Sequence, residues 1–372
     1  MTGYKIISAD DHVFEPPDLW TERAGASLRD QVPRIVRLDD GDWWYCGDIK
    51  VVGVAPGAHT GLRFDEPEKL TQTDTFENVL PGAYLPEERV KDMGADGVDV
   101  SIIYPSVGCM LYSLQDSGLL TDLCRMYNDW IAEFCQPFPH QLKGIGMLNI
   151  DDVQVGVKEL QRCAKMGLAG AMISVYPIEG RGYYSLDYEP LWSAAQDLSI
   201  PLSLHVGTNR PGPGQEFAKV ESFRPSFMCN SVHWVRMSLG DMIFSGVFER
   251  YPNLQVGSVE HELSWVPHFL ERLDYTYTQR VQLDSWHRYK EDMLPSDYFH
   301  RNVFVGFQED ELGIRLRDVI GVNNLQWGSD YPHQESTFPR TQAILKDILA
   351  DCSEEDKAKI VCENAARVYH LD

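Results

Sequence analysis

The residues best suited to chemistry stand at the end of the first apolar run. Tyr4-Lys5-Ile6-Ile7-Ser8-Ala9 is short and β-branched, which predicts a buried strand. Asp10, Asp11 and His12 follow at once, and Glu15-Pro16-Pro17 then stops the strand. Residues i and i+2 of a strand share a side, so Asp10 and His12 project together. A carboxylate beside an imidazole suits a divalent ion of borderline hardness such as zinc, manganese or iron. Asp-x-His alone also fits a polar turn, so the rest of the chain must supply further ligands.

Three later segments offer them at the same position in a repeat. His205 closes the run Pro201-Leu202-Ser203-Leu204. Glu260 and His261 close Leu254-Gln255-Val256-Gly257-Ser258-Val259, and Asp330 closes Leu325-Gln326-Trp327-Gly328-Ser329. One histidine at a strand end is ordinarily structural, and an aspartate after Gly-Ser is ordinarily a turn or a helix cap. Four such ends that converge are different, because buried charge needs partners or a metal. His261 and Asp330 then become candidates for general acid–base work, and Asp330 and His261 also for ligation.

Convergence requires a fold that aligns strand ends. After residue 87 strands and helices alternate: Val98–Tyr104, Leu142–Ile150, Ala169–Val175, Ile200–Val206, Leu254–Glu260, Asn302–Phe307 and Leu325–Ser329 read as strands, with helix-like segments between. With the first run that makes eight βα units, the count of a (β/α)8 TIM barrel. A doubly wound open sheet is the runner-up. Its nucleotide-binding forms lose support because the first turn has no G-x-G-x-x-G and the chain has no Walker loop. The whole of 1–372 is expected to form one domain. Residues 16 to 90, rich in Gly, Pro and charge, are too long for a plain loop. They are expected to form a lid-like insertion with a hairpin around Asp39-Asp40-Gly41-Asp42. Trp43, Trp44 and Tyr45 either line a pocket beneath it, with Trp43 against substrate, or pack the insertion.

Composition narrows the partners. The net charge of −23 disfavours nucleic acid and anionic membranes, which need a basic face. No apolar run approaches the roughly 20 residues of a membrane span. The eight scattered cysteines contain no C-x-x-C pair and predict reduced thiols in a cytoplasmic protein. A small-molecule substrate is expected. Arg210 and Arg224, after the fifth strand, are candidates to clamp its carboxylate.

At this point several motifs coincide with one family. Asp10-x-His12 with Val13-Phe14-Glu15-Pro16, Gly328-Ser329-Asp330-Tyr331-Pro332-His333, Trp265-Val266-Pro267 through Glu271-Arg272, and Glu363-Asn364-Ala365-Ala366-Arg367-Val368-Tyr369 together resemble the amidohydrolase superfamily. The resemblance is to its amidohydrolase-related, aminocarboxymuconate-semialdehyde-decarboxylase-like branch. It implies a metal at the mouth of a (β/α)8 barrel, with Asp10, His12, His205 and Asp330 as ligands and His261 handling water or a proton. Homo- or hetero-oligomerisation is a family expectation. The chain departs from the decarboxylase pattern in its opening Asp-x-His, in the glutamates Glu260 and Glu262 around His261, and in the extra His233 and Glu309. Glu15, His233 and Glu260 are candidates for bridging or holding a second metal, so one or two ions per chain stay open. His333 and Glu335 are candidates to support the ligands.

Three functions follow. The first is non-redox lysis or hydrolysis of a small organic acid, amide or lactone, with His261 and Asp330 as catalytic groups. The second is a dinuclear iron or manganese/iron monooxygenase hydroxylating a small amino or carboxylic acid on the same scaffold. The third is a non-catalytic barrel.

Overall fold

The structure is a computed structural model that describes residues 4–210, 225–280, 288–290 and 292–371. Strand β1 (Ile7–Val13) is followed by three antiparallel strands, β2 (Pro33–Leu38), β3 (Gly41–Cys46) and β4 (Ile49–Gly53). Then come β5 (Val100–Pro105), β6 (Leu142–Met147), β7 (Gly170–Ile173), β8 (Leu202–His205), β9 (Val256–Val259), β10 (Val303–Phe307) and β11 (Leu325–Trp327). Strands β1 and β5 to β11 form one parallel sheet in chain order. Its edges meet where Asp330 N donates to Asp10 O at 2.8 Å and His12 N to Tyr331 O at 2.6 Å. This is the eight-stranded barrel that the repeat predicts.

Two of the long helices between strands are capped by the aspartate that precedes them. Asp116 accepts from Leu119 N ahead of Ser117–Cys135, and Asp152 from Gln154 N and Val155 N ahead of Val153–Met166. Two of the helical segments between strands are broken. Gly246, at φ 74°, separates Val232–Phe244 from Val247–Arg250, and Leu316 separates Glu311–Arg315 from Arg317–Ile320. At the lower end Asn364 donates to Val322 O and Leu325 O, both at 2.8 Å, and seats the last helix, Asn364–Val368. Inside the barrel Tyr104 hydroxyl meets Ser203 Oγ at 2.8 Å and Tyr369 hydroxyl at 3.1 Å.

The insertion contains more than the expected hairpin. The Asp39-Asp40 turn joins β2 to β3, and a second turn through Gly47, at φ 57°, adds β4. Trp44 is buried edge-on to Trp20, with ring centroids 5.7 Å apart. The insertion also reaches the loop after β11: Gln334 N donates to Pro56 O at 2.8 Å and Arg63 Nε to Ser336 O at 3.0 Å. Among the described residues no helix is long and apolar enough to cross a membrane. All eight cysteines are free thiols.

Candidate active site

The first site residues are aimed by an irregularity in β1. Ser8 pairs with Ser101 and Asp11 with Ile103, so three residues of β1 advance against two of β5. Such a bulge re-aims side chains. Asp10 and His12 enter the cluster at the barrel mouth. Asp11 instead accepts from Ser8 Oγ at 2.7 Å and from Ser101 Oγ.

Two histidines are held in one tautomer. His12 Nδ1 lies 2.9 Å from Pro105 O, and His205 Nδ1 lies 3.1 Å from Val206 O. A carbonyl only accepts, so each Nδ1 carries the proton when the ring is neutral and leaves a lone pair on Nε2. His12 Nε2 stands 3.5 Å from Asp10 Oδ1, 3.4 Å from Asp330 Oδ1 and 3.9 Å from Glu260 Oε2. His205 Nε2 stands 3.6 Å from Asp10 Oδ1 and 3.4 Å from Glu260 Oε2.

This donor set fits a divalent ion. Asp10 Oδ1, His12 Nε2, His205 Nε2 and His261 Nε2 are all buried without a hydrogen-bond partner. Orphaned polar atoms in native interiors call for an explanation, and an ion is one. Ligand bonds of about 2.0–2.2 Å put neighbouring ligand atoms roughly 3–3.6 Å apart, which matches most of the separations above. Asp10, His12, His205 and Glu260 form one converging group; His12, Asp330 and His333 form an adjoining one.

The backbone is strained where these groups leave their strands. Glu260, Glu262 and Asp330 have φ of 60°, 58° and 62°. Non-glycine residues seldom adopt this region, and such strain clusters at functional sites.

Electrostatics follow from crowding acids and imidazoles in a buried space. Burial raises the Glu260 and Asp330 carboxyls well above their usual range, and the neighbouring carboxylates raise them further. Burial also acts against the Asp10 carboxylate, but the His12 and His205 rings outweigh it and lower its pKa. Burial works to lower His205, yet Asp10 and Glu260 lift it to about 9. Burial, aided by neighbouring imidazoles, lowers His12 to about 3 and His261 to about 3.

A pH prediction follows with a definite sign. Metal-free protein at neutral pH carries a proton on His205, and a metal binds only the deprotonated ring. Manganese binding is therefore expected to release protons, and its affinity to rise with pH until about 9. Calorimetry in buffers of different ionisation enthalpy checks this; a pH-independent affinity would contradict it.

Asp330 is tied to a short relay. Ser106 Oγ donates to Val13 O at 2.6 Å and faces His333 Nε2 at 2.7 Å. With its own proton directed at Val13, Ser106 accepts from Nε2–H. His333 Nδ1 then meets Asp330 Oδ1 at 2.8 Å. Burial lowers His333 to about 4 and raises the Asp330 carboxyl that faces it. His333 thus supports Asp330, as its position in the sequence suggests. Ser106 was not singled out by the sequence, although it directly follows β5 and the strand-end rule would have found it.

Other candidates fall elsewhere. Glu15 is fully buried and accepts from Val107 N and Gly108 N, both at 2.9 Å. Both its oxygens serve a helix start, so it does not bridge metals; burial pushes its carboxyl up to about 7. His233 is exposed, its ring edge-on to Trp234 at 4.7 Å, outside both converging groups. Glu309 pairs with Arg63, and Glu335 is exposed. Trp43 donates to Asp40 Oδ1 at 3.1 Å and lies under Lys50 at 3.4 Å, so its ring is occupied on the insertion's own sheet. Arg224 lies outside the described residues.

Arg210 is not available as a substrate clamp. It is buried, pairs bidentately with Asp151 at 3.1 and 2.7 Å, and donates to Tyr112 O and Leu114 O. Removing one partner of a buried pair costs about 3–5 kcal/mol. Arg210→Met is therefore expected to lower unfolding stability by about that amount while leaving metal affinity unchanged, read by denaturant unfolding and metal titration.

Comparison with known proteins places this barrel. The profile of the Amidohydro_2 family, the amidohydrolases, matches residues 81–371. The chain belongs to this family, and with it to the metal-dependent lyases and hydrolases of the amidohydrolase superfamily. It is 24% identical over 306 residues to a γ-resorcylate decarboxylase of Polaromonas sp., covering 77% of this chain and 88% of that one. It is 24% identical over 306 residues to the 2-amino-3-carboxymuconate-6-semialdehyde decarboxylase of Dictyostelium discoideum, covering 80% of each. The 5-carboxyvanillate decarboxylase of Novosphingobium aromaticivorans, solved with manganese and 4-hydroxy-3-methoxy-5-nitrobenzoic acid, shares the fold with a TM-score of 0.69. That alignment is 21% identical over 100% of this chain and 97% of the other.

Proposed function

We propose that this chain catalyses non-redox decarboxylation of a small carboxylic acid, with a hydroxylated aromatic acid as the favoured class. The observation that carries the reading is the group of unpartnered metal-seeking atoms with the Asp330 carboxyl beside it, raised well above its usual range by burial and by Asp10. Decarboxylation breaks one C–C bond, leaves its electron pair on carbon and requires one proton there. Asp330 is the group that would deliver that proton, and His333, 2.8 Å from its Oδ1, holds the carboxyl in place. The relatives' names supply the class: two act on aromatic acids, and the third on an amino-carboxymuconate semialdehyde.

Asp10, His12, His205 and Glu260 would hold the ion, with Asp330 at its edge. The nitrogen and oxygen donors, without thiolate, suit manganese, which the Novosphingobium relative contains. Bound there, such an ion would supply Lewis-acid chemistry for carboxylate and hydroxyl oxygens. His261, kept neutral by burial, directs Nδ1 to Ser258 Oγ at 3.2 Å and keeps Nε2 for substrate or water.

The test uses manganese-loaded protein and a panel of hydroxybenzoates in D2O. Carbon dioxide release with one deuterium at the vacated carbon is the expected result. Hydrolysis without carbon dioxide, or dioxygen uptake with a hydroxylated product, would replace this reading with one of the other two chemistries.

A further inference from the structure

The seam between β1 and β11 carries Asp10 and His12 on one side and Asp330 on the other. It has no regular ladder; besides the two backbone bonds already described, Ser329 N donates to Ser8 Oγ at 2.8 Å. Behind this seam lies a charge pair that the proposed chemistry does not use. Arg89, on the helix Pro86–Asp96, is fully buried. Its Nη1 donates to the backbone carbonyl of His12 at 2.8 Å and to Gly82 O at 3.3 Å. Its Nη2 donates to Ser101 Oγ at 3.4 Å and stands 3.8 Å from Asp11 Oδ2. Its guanidinium lies 4.4 Å from the centre of the Tyr331 ring. Asp11 in turn accepts from Tyr331 N at 3.3 Å, besides the two serine hydroxyls.

We propose that Asp11 and Arg89 are positioning residues: their buried contacts hold β1 against the Asp330-Tyr331 segment in the geometry that metal binding needs. The inference rests on the metal reading above. Each charge touches both sides of the seam. Arg89 grips the carbonyl of one ligand residue and the ring that follows Asp330; Asp11 grips the amide that follows Asp330. Apolar residues of similar volume often stabilise an interior as well as a buried ion pair does. Geometry, rather than stability, is then what this pair supplies. Arg89 also binds Gly82, so the chain leaving the insertion is fastened to the same point.

The test measures Mn2+ affinity of the full-length, metal-stripped protein by chelator competition, alongside the melting temperature and the visible spectrum with Co2+. Supporting partners of metal ligands are worth about ten- to a hundredfold in affinity. Asp11→Asn and Arg89→Met are each expected to weaken Mn2+ binding by about that factor and to alter the cobalt bands. Arg89→Lys should recover part of the affinity, and Asp11→Asn/Arg89→Met should bind no worse than the weaker single variant. Ser101→Ala removes only the hydroxyl between the pair and keeps the test open if a charge variant does not fold; severalfold weaker binding is expected. Variants that melt early but bind Mn2+ like the wild type, or a Ser101→Ala protein with unchanged affinity and spectrum, would overturn the proposal. A wild-type chain that binds no Mn2+ would overturn the metal reading itself and take this inference with it.

Discussion

His12→Ala is expected to release the metal and lower turnover by at least about a thousandfold while the barrel stays folded. A bound ion contributes several kcal/mol to the transition state, and about 4 kcal/mol is a factor near a thousand. The fold survives for an electrostatic reason. Burial and the neighbouring His333 keep His12 neutral, near pKa 3, so its loss strands no countercharge. Its Nε2 has no hydrogen-bond partner to lose. The backbone contacts that close the barrel at this residue, His12 N to Tyr331 O and Arg89 to His12 O, do not involve the side chain. His205→Ala makes the contrast. His205 is charged in the metal-free protein and offsets the Asp10 carboxylate, so its removal should cost stability as well as metal. Elemental analysis with circular dichroism separates the two variants. A His12→Ala chain that keeps its metal and its rate would remove His12 from the site.

The barrel and the strand-end residues were legible for one reason: both are periodic. Eight apolar runs separated by helical patterns define the closed sheet, and Asp10, His12, His205, Glu260, His261 and Asp330 recur at the same phase of that pattern. What the sequence lacks is the partner of each polar group. Arg210 sits at the right height for a clamp, but Asp151, distant in sequence, takes its Nε and Nη2, and the carbonyls of Tyr112 and Leu114 take its Nη1. Glu15 looks like a ligand until the helix start at Val107 takes both its oxygens. Glu260 was read as one bridging candidate among three. Leaving its strand at a positive φ, its carboxylate stands 3.4 Å from His205 Nε2, while Glu15 and His233 lie outside the group. Arg89 carried no signal, because a charged residue in an amphipathic helix ordinarily faces water, and here it points inward. In the insertion the Asp39-Asp40 turn was readable from its residue types, whereas β4 depends on a turn at Gly47 and on Trp44 packing against Trp20.

Asp330→Asn should lower turnover by about 10³–10⁴-fold, toward the upper end of what a general acid contributes, with metal content unchanged. The substitution is mild in every respect but one. Asparagine tolerates the left-handed backbone that Asp330 adopts at φ 62°. Its amide N–H can donate to His333 Nδ1, and in a crowded acidic site it removes a carboxyl whose anion burial and Asp10 already disfavour. What it cannot do is deliver a proton to carbon. His261→Asn tests the competing assignment. His261, lowered to about 3, carries no spare proton at neutral pH, so its loss should cost the smaller factor of about 10² through lost contact at Nε2. The order of the two effects is the decisive reading. If His261→Asn proves the more damaging while Asp330→Asn keeps its rate, the proton comes from the ninth-strand end and Asp330 is a ligand alone. If Asp330→Asn sheds the metal, Asp330 belongs with Asp10, His12 and His205 in holding the ion, and the loss of rate reports binding rather than proton transfer. Metal content measured beside the rate of each variant distinguishes these outcomes, because a lost donor slows turnover in a protein that keeps its metal.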